Sequence, residues 1–330
     1  MNVLVAGGAG YIGSHTVKCL KEAGHHPVIY DNLSRGRQQA IDILKVPAEV
    51  AELDDRARLV EALRRYKIDT VMHFAALAYV GESVERPLDY YHNNVATTVG
   101  VLEAMKEAGV NRFVFSSTCA VYGDPLKIPI TEEEKKAPVS PYGRTKLMVE
   151  QLLTDYAAAN KAFTFAALRY FNASGCTMNG TLGEDHDPET HIIPVILQAI
   201  LGVRPGITLF GTDYPTPDGT NIRDYIHVDD LAAAHIKAME KLKAAEPIFC
   251  NLGTGTGFSV KQIISACEKV TGKKAPVTYG PRRAGDAIAL YADPSRAKAL
   301  LGWEAKHKDL QTIIQSAWNW FSKHPRGYAS

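Results

Sequence analysis

Two side chains that together could move a proton, Tyr142 and Lys146, lie four residues apart in a stretch of helical character from 142 to 159. Residues with this spacing share one helix face, so we expect the ammonium group one turn from the phenol. A free phenol has a pKa of about 10 and is a poor base at neutral pH, whereas a nearby cation favours the phenolate. The pair indicates acid–base chemistry, but alone it is more often a surface aromatic beside a solvated amine.

A glycine-rich turn near the amino terminus gives that pair a context. Gly7, Gly10 and Gly13 follow an apolar run at 3–6 that is typical of a buried strand, and a helical stretch follows at about 11–23. Glycines so placed allow a tight turn, close approach of the backbone to a pyrophosphate and close packing of the next helix, whose amides point at the phosphates. The spacing is Gly-x-x-Gly-x-x-Gly, one residue longer than the pattern of many dehydrogenases. The turn predicts a dinucleotide site.

Short β-rich runs alternate with helical stretches from residue 1 to about 172. The predicted strands lie at 28–30, 48–51, 70–74, 113–116 and 163–168, and the predicted helices at 56–66, 94–108 and 142–159. Strands that alternate with helices form a parallel sheet with right-handed crossovers. Beyond residue 172 the chain is rich in Gly, Pro and Asp, with one helix predicted at about 194–201. We therefore predict an α/β fold, a Rossmann-type doubly wound parallel sheet with a smaller C-terminal α/β substrate domain.

The composition is that of an ordinary globular protein. The 330 residues are 46% hydrophobic and 22% charged, and the formal net charge is +1. A balance so close to neutrality gives no general attraction for nucleic acid or an anionic membrane surface. No apolar run reaches the roughly 20 residues of a membrane span. The first residues lack a charged leader and are needed as a strand, so we expect neither a membrane anchor nor a signal peptide.

The cysteines carry little chemistry of their own. Five of them, at 19, 119, 176, 250 and 267, are scattered and include no Cys-x-x-Cys pair. This pattern favours neither a disulfide framework nor a zinc site, so the sequence predicts no metal and a reducing, cytoplasmic compartment. We expect Cys119 to be a small, semi-buried filler rather than a nucleophile.

Short strings spread over nearly the whole chain carry a specific resemblance. The chain resembles the extended short-chain dehydrogenase/reductases and, within them, the UDP-glucose 4-epimerases. The matching strings lie at 7–13, 31–33, 73–76, 80–83, 93–95, 115–118, 121–124, 140–143, 146–150, 168–172, 223–228 and 281–283. The glycine turn and the Tyr-Lys pair identify only the superfamily, and the later strings narrow it to enzymes of nucleotide sugars.

The resemblance implies a tightly bound NAD. Asp31 ends the second strand, where a carboxylate can accept hydrogen bonds from the adenosine ribose and repel a 2′-phosphate, although Arg35 and Arg37 could accept that phosphate. The adenine contact falls on Asp54 with a register uncertain by one residue, and Ala78 stands where many epimerases have a lysine. The implied cofactor residues are Gly7, Gly10, Tyr11, Ile12, Gly13, Asp31, Asn32, Asp54, Phe74, Ala75, Asn93, Thr118, Tyr142, Lys146 and Tyr170.

The resemblance assigns catalysis to Thr118, Tyr142 and Lys146. Thr118 would orient the sugar 4-hydroxyl, and Lys146 would bind the nicotinamide ribose and keep Tyr142 acidic. Tyr142 would remove the 4-hydroxyl proton as hydride passes to NAD. The 4-keto sugar would then rotate in the site and take the hydride back on its other face. The implied activity is interconversion of UDP-galactose and UDP-glucose in galactose metabolism, with UDP-N-acetylhexosamines as further candidate substrates.

The resemblance also divides the chain. It implies an NAD-binding domain at 1–172, to which a segment near 222–242 returns, and a nucleotide-sugar domain at 173–330. The implied substrate residues are Asn172, His191, Thr208, Phe210, Arg223, Tyr225, Arg283, Asp286 and Leu290. Helices 94–108 and 142–159 match the family's dimer surface and predict a homodimer.

Three of these assignments have a structural alternative. Arg223 and Arg283 would clamp the diphosphate, but an arginine is more often part of a surface salt bridge. His191 would replace an asparagine as a diphosphate donor or lie in a solvent-facing loop. Leu290 would border the pocket for the hexose 2-substituent or be a core leucine.

Other functions compete with epimerisation. A nucleotide-sugar 4,6-dehydratase uses the same Tyr, Lys and NAD but carries Asp-Glu where this chain has Cys119 and Ala120. A decarboxylase or 5-epimerase needs further acid and base groups. A dinucleotide-sensing regulatory protein commonly loses the Tyr or the Lys, and this chain has both.

Overall fold

The first sheet has seven strands, all parallel, in the order Ala48–Val50, His26–Asp31, Asn2–Ala6, Thr70–His73, Arg112–Thr118, Thr164–Tyr170 and Ile248–Leu252. The computed structural model describes residues 1–244, 246–283 and 286–329. The strands are β1 (Asn2–Ala6), β2 (His26–Asp31), β3 (Ala48–Val50), β4 (Thr70–His73), β5 (Arg112–Thr118), β6 (Thr164–Tyr170), β7 (Asn172–Ser174), β8 (Ile207–Phe210), β9 (Ile222–Arg223), β10 (Tyr225–His227), β11 (Ile248–Leu252), β12 (Phe258–Ser259), β13 (Val277–Gly280) and β14 (Ala289–Leu290).

The helices cover both faces of that sheet. They are α1 (Tyr11–Glu22), α2 (Gln38–Leu44), α3 (Arg56–Arg65), α4 (Val80–Glu85), α5 (Pro87–Tyr91), α6 (Thr97–Ala108), α7 (Pro141–Ala159), α8 (Ile192–Ile200), α9 (Val228–Lys241), α10 (Val260–Thr271), α11 (Ser295–Leu301) and α12 (Leu310–Phe321). The predicted helix at 94–108 begins instead with a π-helical turn, His92–Ala96, which leads into α6. π-Helical turns are rare in proteins, and those that occur are frequently at functional sites.

Alternate side chains of each strand enter different cores, as the two-residue period of a strand requires. Val3 and Val5 of β1 pack on one face with α1, α9 and α11, whereas Leu4 and Ala6 pack on the other with α3, α6 and α7. The predicted doubly wound sheet is confirmed. The strand order reverses between β1 and β4, and in such sheets a crevice for ligands opens there, outside the carboxyl ends of the strands.

The boundary between the two parts of the chain differs from the prediction. Helix α9 lies within the segment near 222–242 that was expected to return, and it packs on α1. The predicted segment is too short, because β11 adds the seventh strand beside β6 and α11 packs on α9 and β11. A five-residue edge strand after a long Gly- and Pro-rich region carries little sequence signal, so the prediction stopped at α9.

The second part is built from small sheets and its own core. The sheets are β10-β7, β12-β9-β14 and β13-β8. Helices α8, α10 and α12 enclose a separate apolar cluster that includes Ile196, Ile263 and Trp320. Among the described residues, none of the helices combines the length and the apolar character needed to cross a membrane.

Candidate active site

The glycine turn lies between β1 and α1, against the end of β4. A Cβ atom on Gly7 would lie 2.6 Å from the backbone nitrogen of Ala75, and one on Gly13 would lie 2.0 Å from the carbonyl oxygen of Gly7. Gly7 also has a φ of 79°, which favours glycine. Gly10 caps α1, whose first turn contains no acidic residue. Any side chain at these glycines would fill the space inside the turn. The free N–H groups at the start of α1 suit the pyrophosphate of a dinucleotide.

Asp31 holds the position predicted for the ribose contact. Its buried carboxylate accepts hydrogen bonds from the backbone N–H groups of Ala9 (2.9 Å) and Leu33 (2.8 Å), which fixes it beside the glycine turn. Burial raises its pKa, and these hydrogen bonds oppose the rise. Arg35 pairs with Glu82 at 2.8 Å. Arg35 could otherwise bind a 2′-phosphate, but it already pairs with Glu82, and this favours NAD over NADP.

The adenine end of the site is tied to α6. Asp54 is exposed and accepts a hydrogen bond of 2.7 Å from Thr97, whereas Asp55 caps α3. Asn32, also predicted here, donates to Glu52 at 2.9 Å. Of the two adjacent aspartates, Asp54 is thus the one that faces α6, and its contact with adenine stays a prediction.

An asparagine that the sequence reasoning passed over holds the next segment. Asn94 is buried and bonds both backbone groups of Leu77, accepting at 2.9 Å and donating at 3.0 Å. It also donates to Thr145 on α7 at 3.1 Å and accepts from the predicted cofactor residue Asn93 at 2.9 Å. Asn94 thereby joins the chain after β4 to the helix of the catalytic pair. The string at 93–95 was the available signal.

The three predicted catalytic residues come together at the ends of β5 and α7. Ser140 caps α7, so Tyr142 and Lys146 lie at its start, and Thr118 ends β5. All three are buried, with exposed fractions of 8%, 3% and 7% in that order. A Cβ on Gly143 would lie 2.6 Å from the carbonyl oxygen of Ala120, so glycine there lets α7 approach the end of β5.

Burial dominates the electrostatics of the pair. Burial raises the pKa of Tyr142, and a hydrogen bond with Thr118 opposes the rise. Burial also lowers the pKa of Lys146 to about 7, against the charge of Glu150. The Lys146 ammonium donates to the carbonyl oxygen of Ser116 at 2.8 Å and lies 6.0 Å from the centre of the Tyr142 ring. The cost of burying charge is thus the main influence on both groups, and the role of Lys146 in keeping Tyr142 acidic beside bound NAD stays a prediction.

Neighbouring aromatic side chains complete this wall of the site. The Tyr170 hydroxyl lies 2.6 Å from Oγ of Ser116, and burial raises the pKa of Tyr170 to about 12. Phe74 packs on His235 with ring centres 4.8 Å apart. Tyr11 donates to the carbonyl oxygen of Gly175 at 2.5 Å, which ties the start of α1 to the second part of the chain.

A buried charge pair supports the catalytic residues and was not predicted. Glu150 lies one turn after Lys146 and accepts from Arg169 at 2.9 and 2.6 Å and from the Ser117 hydroxyl at 2.6 Å. Arg169 also donates to the Tyr122 hydroxyl at 2.9 Å. Because both ions are buried and paired, loss of either would leave an uncompensated charge. The pair fixes α7 against β5 and β6.

The substrate residues fall into linked groups near β9 and β14. Arg223 donates to the carbonyl oxygen of Ala287 at 2.9 Å and lies 3.9 Å from the Asp286 carboxylate. Leu290 is its register partner in β14 and packs on a small cluster that contains Tyr122. These contacts bring Arg223, Asp286 and Leu290 together on one small sheet.

Two further groups adjoin that sheet. The Arg283 guanidinium lies 3.9 Å from the centre of the Phe210 ring, at the end of β8. The hydroxyl of Thr208, in the same strand, lies 3.1 Å from that of Thr278. Asn172 donates to the carbonyl oxygen of Asp224 at 3.0 Å and pairs in register with the buried Tyr225.

His191 lies with a different set of residues. It caps α8, and its Nδ1 atom is 2.8 Å from Oε1 of Glu189 and 3.1 Å from Oε1 of Glu184. Its ring is 44% exposed. The structure thus places the predicted diphosphate donor against two carboxylates rather than beside Arg223.

The chain is similar to known proteins over nearly its whole length. A sequence model of the NAD dependent epimerase/dehydratase family matches residues 3–253. The UDP-glucose 4-epimerase of Rhizobium leguminosarum bv. trifolii is 49% identical over 322 residues, which are 97% of each chain.

Solved structures agree with the sequence relatives. The UDP-glucose 4-epimerase of Brucella ovis in complex with NAD is 50% identical with a TM-score of 0.93, over 97% of this chain and 98% of that one. The UDP-Glc/GlcNAc 4-epimerase of Campylobacter jejuni is 42% identical with a TM-score of 0.86, over 98% and 99%.

Proposed function

Since the chain belongs to the NAD dependent epimerase/dehydratase family, we propose that it interconverts UDP-galactose and UDP-glucose by transient oxidation at the sugar 4-position. The observation that carries this proposal is the buried trio of Thr118, Tyr142 and Lys146 at the crevice that the glycine turn borders. The cofactor is NAD, which stays bound and is regenerated in each turnover.

The residues around the crevice fit NAD. The turn at Gly7 and Gly13 would hold the pyrophosphate, the buried Asp31 would accept from the adenosine ribose, and Lys146 would bind the nicotinamide ribose. When bound, NAD would supply the acceptor and later the donor of a hydride at the sugar 4-carbon, and its positive charge would favour a nearby phenolate.

The protein supplies the proton transfer. Tyr142 accepts the proton of the sugar 4-hydroxyl and later returns it, and Thr118 orients both oxygens by hydrogen bonds. Burial raises the pKa of Tyr142, so the phenolate requires positive charge beside it. Lys146 supplies one such charge when it is protonated.

Most of the binding energy comes from contacts with the uridine diphosphate, the part of the substrate that does not react. Arg223 and Arg283 clamp the diphosphate, and Thr208, Phe210, Tyr225 and Asp286 hold the uridine. Asn172 and Leu290 border the hexose. The hexose is held loosely, so that the keto sugar can rotate and present its other face. Binding energy on the remote group holds the reacting centre in place without fixing one face of the sugar.

Dehydration at the sugar is disfavoured by the residues after Thr118. A 4,6-dehydratase needs an acid and a base there, and this chain has Cys119 and Ala120. Burial raises the pKa of the Cys119 thiol to about 12, so it would transfer protons poorly at neutral pH.

We also infer a broader substrate range, a homodimer and a cytoplasmic location. The relative from Campylobacter jejuni is named for both glucose and N-acetylglucosamine substrates, and Leu290 leaves more room than a tyrosine beside the hexose 2-substituent.

The exposed Val99 of α6 and Met148 of α7 support a dimer through these helices. All five cysteines are free, which agrees with a reducing compartment.

The experiment is to incubate the purified protein with UDP-galactose and no added cofactor, and to identify the products by chromatography and mass spectrometry. We expect UDP-glucose, with NAD released from the denatured protein in a molar amount close to that of the chain. A 4-keto-6-deoxy sugar as main product would support the dehydratase instead. A need for fresh NAD in every turnover would contradict a closed redox cycle.

A further inference from the structure

A cluster of four potential metal ligands lies outside the catalytic trio. Nitrogen or oxygen atoms of Glu184, His186, Glu189 and His191 all lie within 4.8 Å of one another. The sequence argument against a metal considered cysteine spacing, and these residues occupy one loop before α8. Two imidazoles and two carboxylates are a donor set suited to zinc and similar first-row dications, whereas calcium and magnesium favour oxygen ligands alone.

The distances between the donors fit a tetrahedral ion. Oε1 of Glu184 is 3.2 Å from Nδ1 of His186 and 3.1 Å from Nδ1 of His191. In the remaining carboxylate, Oε2 of Glu189 is 3.5 Å from Nδ1 of His186, and Oε1 is 2.8 Å from Nδ1 of His191. Ligands about 2.0–2.1 Å from a zinc ion lie about 3.3 Å apart on the edges of a tetrahedron. These carboxylate–imidazole distances are close to that edge length, and one donor atom from each of the four residues lies within 4.8 Å of the others, so side-chain movements alone can close the set around one ion.

Two of these donors have no hydrogen-bond partner. Oε1 of Glu184 and Nδ1 of His186 are buried, and within the described part of the chain neither makes a hydrogen bond of acceptable geometry, although only 3.2 Å separates them. The Glu184 side chain is 3% exposed. A buried carboxylate oxygen without a partner is costly. Oε1 of Glu184 therefore lies within 3.2 Å of the Nδ1 atoms of both histidines without a hydrogen bond of its own, which leaves it free to bind an ion.

The loop that carries the cluster is held by contacts on each side. Arg37 donates to the Asp185 carboxylate at 2.9 and 3.3 Å, and Arg35 donates to the carbonyl oxygen of Asp187 at 2.6 Å. Arg204 donates to the carbonyl oxygen of Glu189 at 2.7 Å. The rings of Tyr11 and His186 meet edge to face with centres 5.8 Å apart. These contacts place the donors before metal binding and link them to the glycine turn.

We propose that Glu184, His186, Glu189 and His191 bind one zinc-class divalent cation, which locks the loop between the start of α1 and the start of α8. Two carboxylates and two neutral imidazoles balance the charge of such an ion. The part-exposed ring of His191 gives the ion a route from solvent. In this arrangement His191 acts on substrate binding through the loop, and the ion has no part in the redox chemistry of the sugar.

The test uses the full chain without a histidine tag, treated with a chelator, dialysed and titrated with Zn²⁺ by calorimetry. We expect one ion per chain at this site and a rise in the thermal midpoint, because an ion that binds only the folded state stabilises it. Co²⁺ as a spectroscopic probe should give the visible absorption of a tetrahedral site. Absence of Zn²⁺ binding to the wild type would overturn the proposal and would indicate that protonated histidines neutralise the two carboxylates.

Variants assign the ion to these side chains. His186→Gln and Glu184→Gln should each lower the affinity for Zn²⁺ at least about tenfold and abolish the Co²⁺ spectrum. His26→Gln, which changes an exposed histidine far along the chain, should leave both unchanged. Binding that persists undiminished in both loop variants would refute the assignment. Circular dichroism establishes that each variant is folded, and the wild-type titration decides the proposal if one is not.

Discussion

The catalytic side and the substrate side of the crevice are built differently. Thr118, Tyr142 and Lys146 lie on a seven-residue strand and a nineteen-residue helix and are nearly inaccessible. Arg223 and Leu290 lie on two-residue strands. A proton acceptor has to be held to a fraction of an ångström, whereas a clamp on a charged diphosphate tolerates more freedom. In the proposed mechanism the rigid side carries out the proton transfer, and the looser side, built on short strands, selects the substrate.

The largest effect is expected on the rigid side. Tyr142→Phe removes a proton acceptor used in the transition state, so turnover should fall by about 10² to 10⁴-fold while KM changes little. Initial rates over a range of UDP-galactose concentrations measure both. Tyr156→Phe, on the same helix, serves as the control and should retain most activity. Near-normal turnover in Tyr142→Phe would remove the basis of the proposed mechanism.

The loose side should respond in binding rather than in turnover. Arg283→Ala removes a guanidinium that lies over Phe210, so KM for UDP-galactose should rise about 10 to 100-fold with a smaller change in kcat. Arg282→Ala is the matched control, because that arginine pairs with Asp213 at 2.8 Å. Equal effects of the two substitutions would show that Arg283 does not contact the diphosphate.

A smaller effect concerns the choice of sugar. Leu290→Tyr should lower the kcat/KM ratio of UDP-N-acetylgalactosamine to UDP-galactose by about tenfold or more, since one added group in a pocket is worth roughly 1 to 3 kcal/mol. Ile288→Tyr adds the same bulk at an exposed neighbouring position and should leave the ratio unchanged. If the native protein has no N-acetyl activity, or if Leu290→Tyr leaves the ratio as it is, Leu290 is a core residue.

The last effect is on stability rather than on activity and follows from the buried Lys146. Burial lowers its pKa to about 7, against about 10.4 in an unfolded chain. Between these values the unfolded state binds more protons, so this group makes the free energy of unfolding rise with pH, by up to about 1 kcal/mol per unit, from pH 7 to 10. Below pH 7 the lysine is protonated in both the folded and the unfolded state, so the folded state bears the whole cost of burying the charge and this cost no longer changes with pH.

Urea unfolding of the cofactor-free protein at several pH values measures this contribution. The thiols and phenols that also titrate there are common to wild type and Lys146→Met, so the difference between their slopes isolates the lysine. We expect the variant to have the flatter dependence of stability on pH. Parallel curves would show that Lys146 is not held in a lowered-pKa environment.

The same contrast explains what could be predicted from the sequence. The glycine turn and the Tyr142–Lys146 pair depend on local spacing, and the structure places both as expected. Asn94 and the Glu150–Arg169 pair lie in strings that match the family, but they act through partners far along the chain, so local spacing does not reveal their roles. The burial that raises the pKa of Tyr142 depends on the whole fold, so local spacing could not predict it. The edge strand β11 was missed because a short apolar run has no period that identifies it.

Return of the same hydrogen to the same sugar is the central claim, and isotopic labelling tests it directly. UDP-galactose that carries deuterium at carbon 4 is converted by the holoenzyme in ordinary water with no added cofactor, and the UDP-glucose formed is analysed by mass spectrometry and NMR. The mechanism predicts that deuterium is retained at carbon 4 of the product. Replacement of that deuterium by hydrogen from solvent would contradict it.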